Sequence, residues 1–152
     1  MVGRLGGVSR LALFLSIGGV ALAAAAPAVA ATHTDSATAT VHKVSGSGSK
    51  TVYTGNMTST ALGRGTVRQT VILGKGLNVT GSYVITYRGG TVRGTVKAKA
   101  KISGGKITFT GTSRVTGGTG KYKGASGSSN YTGTANLSGT TATFIMRGKI
   151  TY

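Results

Sequence analysis

The chain has no cysteine, no tryptophan and no glutamate; it has one proline, Pro27, and one acidic side chain, Asp35. Without cysteine there is no disulfide, no thiolate nucleophile and no thiolate metal ligand, whatever the redox compartment. Stability must come from packing and strand pairing. A single carboxylate excludes the paired acids of glycoside hydrolysis. A Ser-His-Asp triad would have to join Asp35 to His33 or His42, all close together near one end of the sequence. The same three residues offer a weak chelate with no further firm ligand and no closed spacing. No catalytic residue, metal site or cofactor is therefore expected.

Acidic residues are also missing from the first 34 positions, which hold Arg4 and Arg10 followed by an apolar run from Leu11 to Ala26. Pro27-Ala28-Val29-Ala30-Ala31 follows. A positive start, an apolar stretch and small residues in an Ala-x-Ala arrangement are the order of a cleavable signal peptide. Residues 1–31 are read as that leader, with cleavage after Ala30 or Ala31, and the protein is expected to be secreted. The proline and the small residues argue against an uncleaved anchor, although the run is nearly long enough to span a bilayer. No cysteine follows the run, so a lipid-modified cysteine is excluded.

About 121 residues remain after cleavage, enough for one domain with a modest core. They carry 16 of the chain's 18 Lys and Arg against the one acid, a net charge of about +15. Such a charge draws a protein toward polyanions through a long-range field. The segment from His33 to Ser49 is rich in Thr, Ser and Gly; residues 32–37 are expected to be a flexible tail and 38–152 a single domain.

Most of that domain alternates apolar or small residues with polar ones, the period of half-buried strands. A two-residue Gly89-Gly90 turn would pair Tyr87 with Val92, Ile85 with Gly94 and Tyr83 with Val96 on one face. A Gly104-Gly105 turn would pair Ile102 with Ile107, Ala100 with Phe109 and Ala98 with Gly111. A Gly74-Lys75-Gly76 loop would pair Leu73 with Leu77, and a Gly139-Thr140 turn Leu137 with Ala142. A one-residue slip would bury Lys97, Lys99 and Lys101, which sets the face of each strand. Eight strands are expected, near 38–45, 50–60, 64–73, 77–88, 91–102, 106–116, 128–138 and 141–152. Glycine and threonine are too frequent for helices. An all-β, antiparallel up-and-down meander with one apolar face and no covering helix closes into a barrel or, alternatively, folds into a sandwich. The row Gly81, Ala98, Gly111 either lets strands bend or leaves space inside.

The segment Gly117-Gly118-Thr119-Gly120-Lys121-Tyr122-Lys123-Gly124-Ala125-Ser126-Gly127 breaks the alternation. It resembles the G-G-T-G-x-[FY]-x-x-A-x-G signature of the barrels related to plant dirigent proteins and allene oxide cyclases, and of small secreted bacterial relatives. The resemblance implies a barrel; physically, Gly117, Gly118, Gly120 and Gly124 permit tight turns, so Tyr122 and Ala125 are expected to tuck onto one end as a lid, the alternative being a phosphate cradle flanked by Lys121 and Lys123 with no helix to assist it. Oligomerisation is possible by the same resemblance. The acidic side chains prominent in those proteins' ligand sites have no counterpart here, so the resemblance supports the fold and neither activity; a ligand-binding barrel with or without dirigent- or cyclase-like activity stands as the alternative to a non-enzymatic one.

Two functional expectations follow. Arg93, Lys97, Lys99 and Lys101 alternate along one strand, and Arg114 pairs across from Thr95, so these cations form one outward patch suited to phosphate- or carboxylate-bearing polymers. Inside, Gln69, Ser113 and the hydroxyls of Tyr83, Tyr87 and Tyr131 are the few polar groups. The tyrosines are expected near barrel ends with their hydroxyls in water; alternatively Gln69, Tyr83 and Ser113 line a pocket for a small apolar ligand beside Gly81, Ala98 and Gly111.

Overall fold

A computed structural model describes residues 29–152; the charged start and apolar run of the expected leader lie outside the described residues. Eight strands follow one another: β1 (Thr32–Ser47), β2 (Lys50–Ser59), β3 (Gly63–Leu73), β4 (Asn78–Tyr87), β5 (Gly90–Ser103), β6 (Lys106–Gly118), β7 (Ser126–Asn136) and β8 (Thr141–Thr151). Each pairs antiparallel with the next, and β1 pairs with β8, so the meander closes as a barrel with no free edge. The sandwich alternative is excluded.

Closure draws in the segment expected to be a tail. Thr32 lies opposite Thr151 and Ala37 opposite Met146, so residues 32–37 are the first third of β1. Two backbone hydrogen bonds between Ala31 and Tyr152 extend that pairing by one step. The Thr/Ser-rich composition suggests a solvated coil, but a barrel must satisfy the edge of its last strand, and β1 does so.

The inward and outward faces are as the alternation predicts, while three of the four turns pair their strands two residues away from expectation. Only Gly104-Gly105 closes as anticipated, both glycines left-handed at φ 58° and 74°, with Ile102 opposite Ile107. Between β4 and β5 the turn is Arg88-Gly89, which pairs Tyr87 with Gly90 and Ile85 with Val92. Gly90 is required by a tertiary contact: a Cβ there would collide with the Thr119 carbonyl of the lid. Between β3 and β4, Lys75–Leu77 form a single 3-10 turn that the Asn78 side chain bonds back onto, through Lys75 O at 2.9 Å, and Leu73 pairs with Val79 instead of Leu77. Between β7 and β8 the Asn136 carboxamide accepts from the Thr140 and Thr141 amides at 2.9 and 3.2 Å. The turn widens, Ala135 pairs with Ala142, and Leu137 leaves the ladder. A two-residue shift leaves every side chain on its face, because the strand period is two.

The glycine-rich segment splits between strand and lid. β6 runs on to Gly118, and its ladder with β5 steps from Arg93 opposite Gly117 to Gly94 opposite Val115, with Thr116 as the extra residue of a bulge. Gly117 therefore serves a strand rather than a turn, and Gly118 ends it. Gly120 opens a 3-10 turn through Tyr122 at φ 61°, packed against the Gly89 carbonyl, and Gly124 completes the reversal at φ 79°. Tyr122 and Ala125 are buried under it, as expected of a lid.

Candidate functional site

The up-and-down topology puts the β2–β3, β4–β5 and β6–β7 connections, the start of β1 and the end of β8 at one end of the barrel, and the other four connections at the opposite end. The first end is closed. Tyr122 inserts edge-on between Tyr87 and Tyr152, at ring-centroid distances of 5.8 and 5.2 Å, and Tyr152 stacks on His33. Asp35, expected in a mobile tail, is fixed here. Its Oδ1 accepts from Ser59 Oγ at 2.7 Å, Thr60 Oγ1 at 3.1 Å and the Ala61 amide at 3.1 Å, clasping the β2–β3 turn against β1. Below the lid, Met57, Val67, Ile85, Val92, Val96 and Ile150 fill the interior. Only a void of about 30 Å³ remains near Asp35, room for one water.

The opposite end is open. Ala100, Ala135 and Ala142 stand where bulkier side chains would meet, and a cavity of about 280 Å³ opens to solvent between them. Val41, Val71, Val79, Phe109 and Phe144 wall it, with Leu73, Leu137 and Lys43 at the mouth. Its floor is polar: Gln69 donates from Nε2 to the Tyr131 hydroxyl at 3.0 Å, both residues being buried. Tyr131 is itself held between Phe109 and Phe144, at centroid distances of 5.4 and 5.2 Å. Tyr53 crosses the rim and donates to the Gly139 carbonyl at 2.7 Å, tethering the β7–β8 loop beside the opening.

The interior polar residues thus separate. Gln69 lines the cavity. Tyr83 and Ser113 bond each other at 3.0 Å deeper in the barrel, outside it. The expectation that tyrosine hydroxyls reach water at the ends is overturned: Tyr83, Tyr87 and Tyr131 are 4–5% exposed, and the Tyr87 hydroxyl lies 3.3 Å from Met57 Sδ. The barrel is long enough to enclose them because each strand carries ten or more residues. Gly81, Ala98 and Gly111 do not line the cavity themselves but lie beside its wall, paired with Val71, Val79 and Tyr131 in turn. A Cβ on Gly81 would meet the Thr70 carbonyl and one on Gly111 the Lys97 carbonyl, so these two glycines permit close strand approach at the edge of the cavity.

Burial raises the Tyr83 hydroxyl above its ordinary value of 10.0, with the Ser113 hydrogen bond pulling the other way. Tyr131 is raised further by the same cause, against its bond to Gln69. At neutral pH these phenols are uncharged hydrogen-bonding groups. The cavity holds no carboxylate and no imidazole, and its one ionisable cation, Lys43, sits at the rim. The arrangement can enclose an apolar body and orient a polar atom on the Gln69–Tyr131 pair.

The histidines stay apart. His33 packs at the closed end on Tyr152, whereas His42 faces outward with Nδ1 3.3 Å from Thr141 Oγ1. Among the described residues no three His, Cys, Asp or Glu side chains gather. On the outer wall, Arg93, Lys97, Lys99, Lys101 and Arg114 are all exposed, and Arg114 lies opposite Thr95 as expected. The row descends β5 toward the open rim, where Lys99 Nζ reaches Asn78 Oδ1 at 3.3 Å. Sequence reasoning missed the cavity's outer wall: Val41, Val71, Val79 and the three alanines have the right face and small size, but nothing in their spacing marks a void.

No protein-family profile matches the chain, and no curated protein is similar to it in sequence. Among solved structures, a pyocyanin demethylase is similar to it over 78% of this chain and 99% of that chain, at 12% identity and a TM-score of 0.44. A likeness at that level carries no argument about ligand or activity.

Proposed function

We propose that the protein is a secreted, non-enzymatic barrel that holds one small apolar or amphipathic molecule in its open-end cavity. The single observation behind this reading is the cavity itself: about 280 Å³ of apolar-walled space with a polar pair at its floor. Ligand sites combine an apolar wall with a few convergent polar groups in this way. The signal-like leader supports export, and the meander with its glycine-rich lid supports kinship with the dirigent and allene oxide cyclase-like barrels. Native mass spectrometry of the protein purified from culture medium, joined to titration with a fluorescent apolar probe, tests the reading. Binding should be lost on Ala135→Phe, which fills the mouth, and survive Tyr83→Phe, which lies outside the cavity. Equal binding by wild type and Ala135→Phe would end it.

A different observation favours a second reading, association with anionic envelope or extracellular polymers. Sixteen cations lie beyond the leader, and the one carboxylate is taken up by Ser59, Thr60 and Ala61. This reading predicts salt-sensitive retention on an anionic polymer that the Lys97, Lys99 and Lys101→Glu triple variant loses.

A further inference from the structure

The open rim gathers more apolar and cationic side chains than the cavity mouth uses. Seven large hydrophobic residues are exposed among the described residues, and five of them, Val44, Ile72, Leu73, Ile102 and Leu137, lie at this end. Ile102 and Leu137 are each more than half exposed. They project from four different connections: Val44 before the β1–β2 turn, Ile72 and Leu73 before the β3–β4 loop, Ile102 before Gly104, and Leu137 after β7. Interleaved with them are Lys43, Lys50, Lys75, Lys101 and Lys106, each within a few residues of the same connections. A ring of apolar tips set among lysines, with no acid, surrounds the mouth of an apolar cavity.

Exposed apolar residues grouped at one place mark a contact surface. The lysines decide with what. Their charge excludes a second copy of the same rim, which would oppose like charges. It fits a surface that is negative over a plane and apolar just beneath it. An anionic bilayer has that layering: phosphate at the level of the lysines, acyl chain at the level of the tips. Lysine is also suited to the task, because its alkyl stem packs on apolar surface while the ammonium stays at the headgroups.

We infer that the open end of the barrel docks on an anionic lipid surface, with Ile102, Leu137 and Leu73 entering the interface and the rim lysines meeting lipid phosphates. The barrel does not span. Its outer wall presents Thr, Ser, Asn, Lys and Arg at alternate positions through Thr38, Thr40, Thr66, Thr86, Lys97, Thr112, Thr132 and Thr143, the opposite of a lipid-facing wall. Docking places the cavity mouth against the membrane. It does not depend on what the cavity holds.

Because the chain lacks tryptophan, a single introduced one reports its own surroundings. Ile102→Trp at the rim and Val84→Trp on the side wall, both at exposed sites, are titrated with vesicles of phosphatidylglycerol and of phosphatidylcholine. The Ile102→Trp emission should shift to the blue with phosphatidylglycerol only, and the Val84→Trp emission should stay unchanged. Co-sedimentation should weaken about fivefold for each rim lysine exchanged in Lys43→Gln and Lys106→Gln. Lys121→Gln and Lys123→Gln at the closed end, with the same loss of charge, should bind as wild type. A Val84→Trp shift equal to that of Ile102→Trp, no shift in either, or equal weakening by the closed-end pair would overturn the proposal. Binding to a soluble polyanion such as polyphosphate that matches vesicle binding and ignores Ile102→Ser and Leu137→Ser would do the same, leaving the wall as a general anion surface. Ala135→Phe separates the two readings: it should abolish probe binding and leave vesicle binding intact.

Discussion

The two ends of this barrel are built from the same eight strands and behave as opposites. The closed end spends its large side chains inward: Tyr122, Tyr87 and Tyr152 interlock over Met57, Ile85 and Ile150, and the sole carboxylate ties a turn in place. The open end spends alanines inward and aliphatic side chains outward, so that a cavity replaces the core and Ile102 and Leu137 stand in solvent. The cost of leaving volume unfilled, about 24 cal/mol per Å³ where a side chain is removed from a packed core, falls where binding would use it.

The sharpest test of that division removes the lid's anchor. Tyr122→Ala should destabilise the protein by about 3–5 kcal/mol in denaturant titration, whereas Leu137→Ala at the open end should change stability by less than about 0.5 kcal/mol. Similar losses at the two sites would mean that the ends are not mechanically distinct. Enlarging one alanine at each end probes packing directly. Ala37→Phe, in the closed half, should cost about 1–3 kcal/mol from overpacking; Ala135→Phe should be accommodated within about 0.5 kcal/mol, since its ring has the cavity to enter.

Asp35→Ala should cost about 1–2 kcal/mol by leaving the Ser59 hydroxyl and the Ala61 amide without their acceptor. Differential scanning calorimetry and amide exchange would register it, the latter as loss of protection confined to the β2–β3 turn. The smallest effect is on the alkaline side. Tyr83 and Tyr131 are raised by burial above 10.0, so the unfolded chain loses those protons first as pH rises. Their contribution is whole below pH 10 and is lost as pH climbs through the higher folded values. Stability measured from pH 9 to 12 should therefore fall, and Tyr131→Phe should lessen the fall.

Much of this was legible beforehand. The alternation around Lys97, Lys99 and Lys101 assigned the inward and outward faces of β5 and, through the glycine turns, of its neighbours. Tyr122 and Ala125 were recognisable as a lid from the glycine-rich segment. The registers were not: Gly90 reads as a turn residue until the lid backbone that needs its bare Cα is in place, and Asn136 reads as the end of a strand until its carboxamide widens the turn. Asp35 read as part of a tail because its three donors come from a turn about 25 residues away.

By itself, then, the sequence determined an all-β chain with alternating faces, a net positive wall and an interior whose polar groups are mostly tyrosine hydroxyls, because those properties depend on residue type and a period of two. Only the tertiary structure decided which end is plugged and which is open, that Gln69 and Tyr131 meet across the barrel, and that Val44, Leu73, Ile102 and Leu137 share one rim with five lysines. Those are meetings between strands far apart in the chain, and their geometry exists only once β1 has closed against β8.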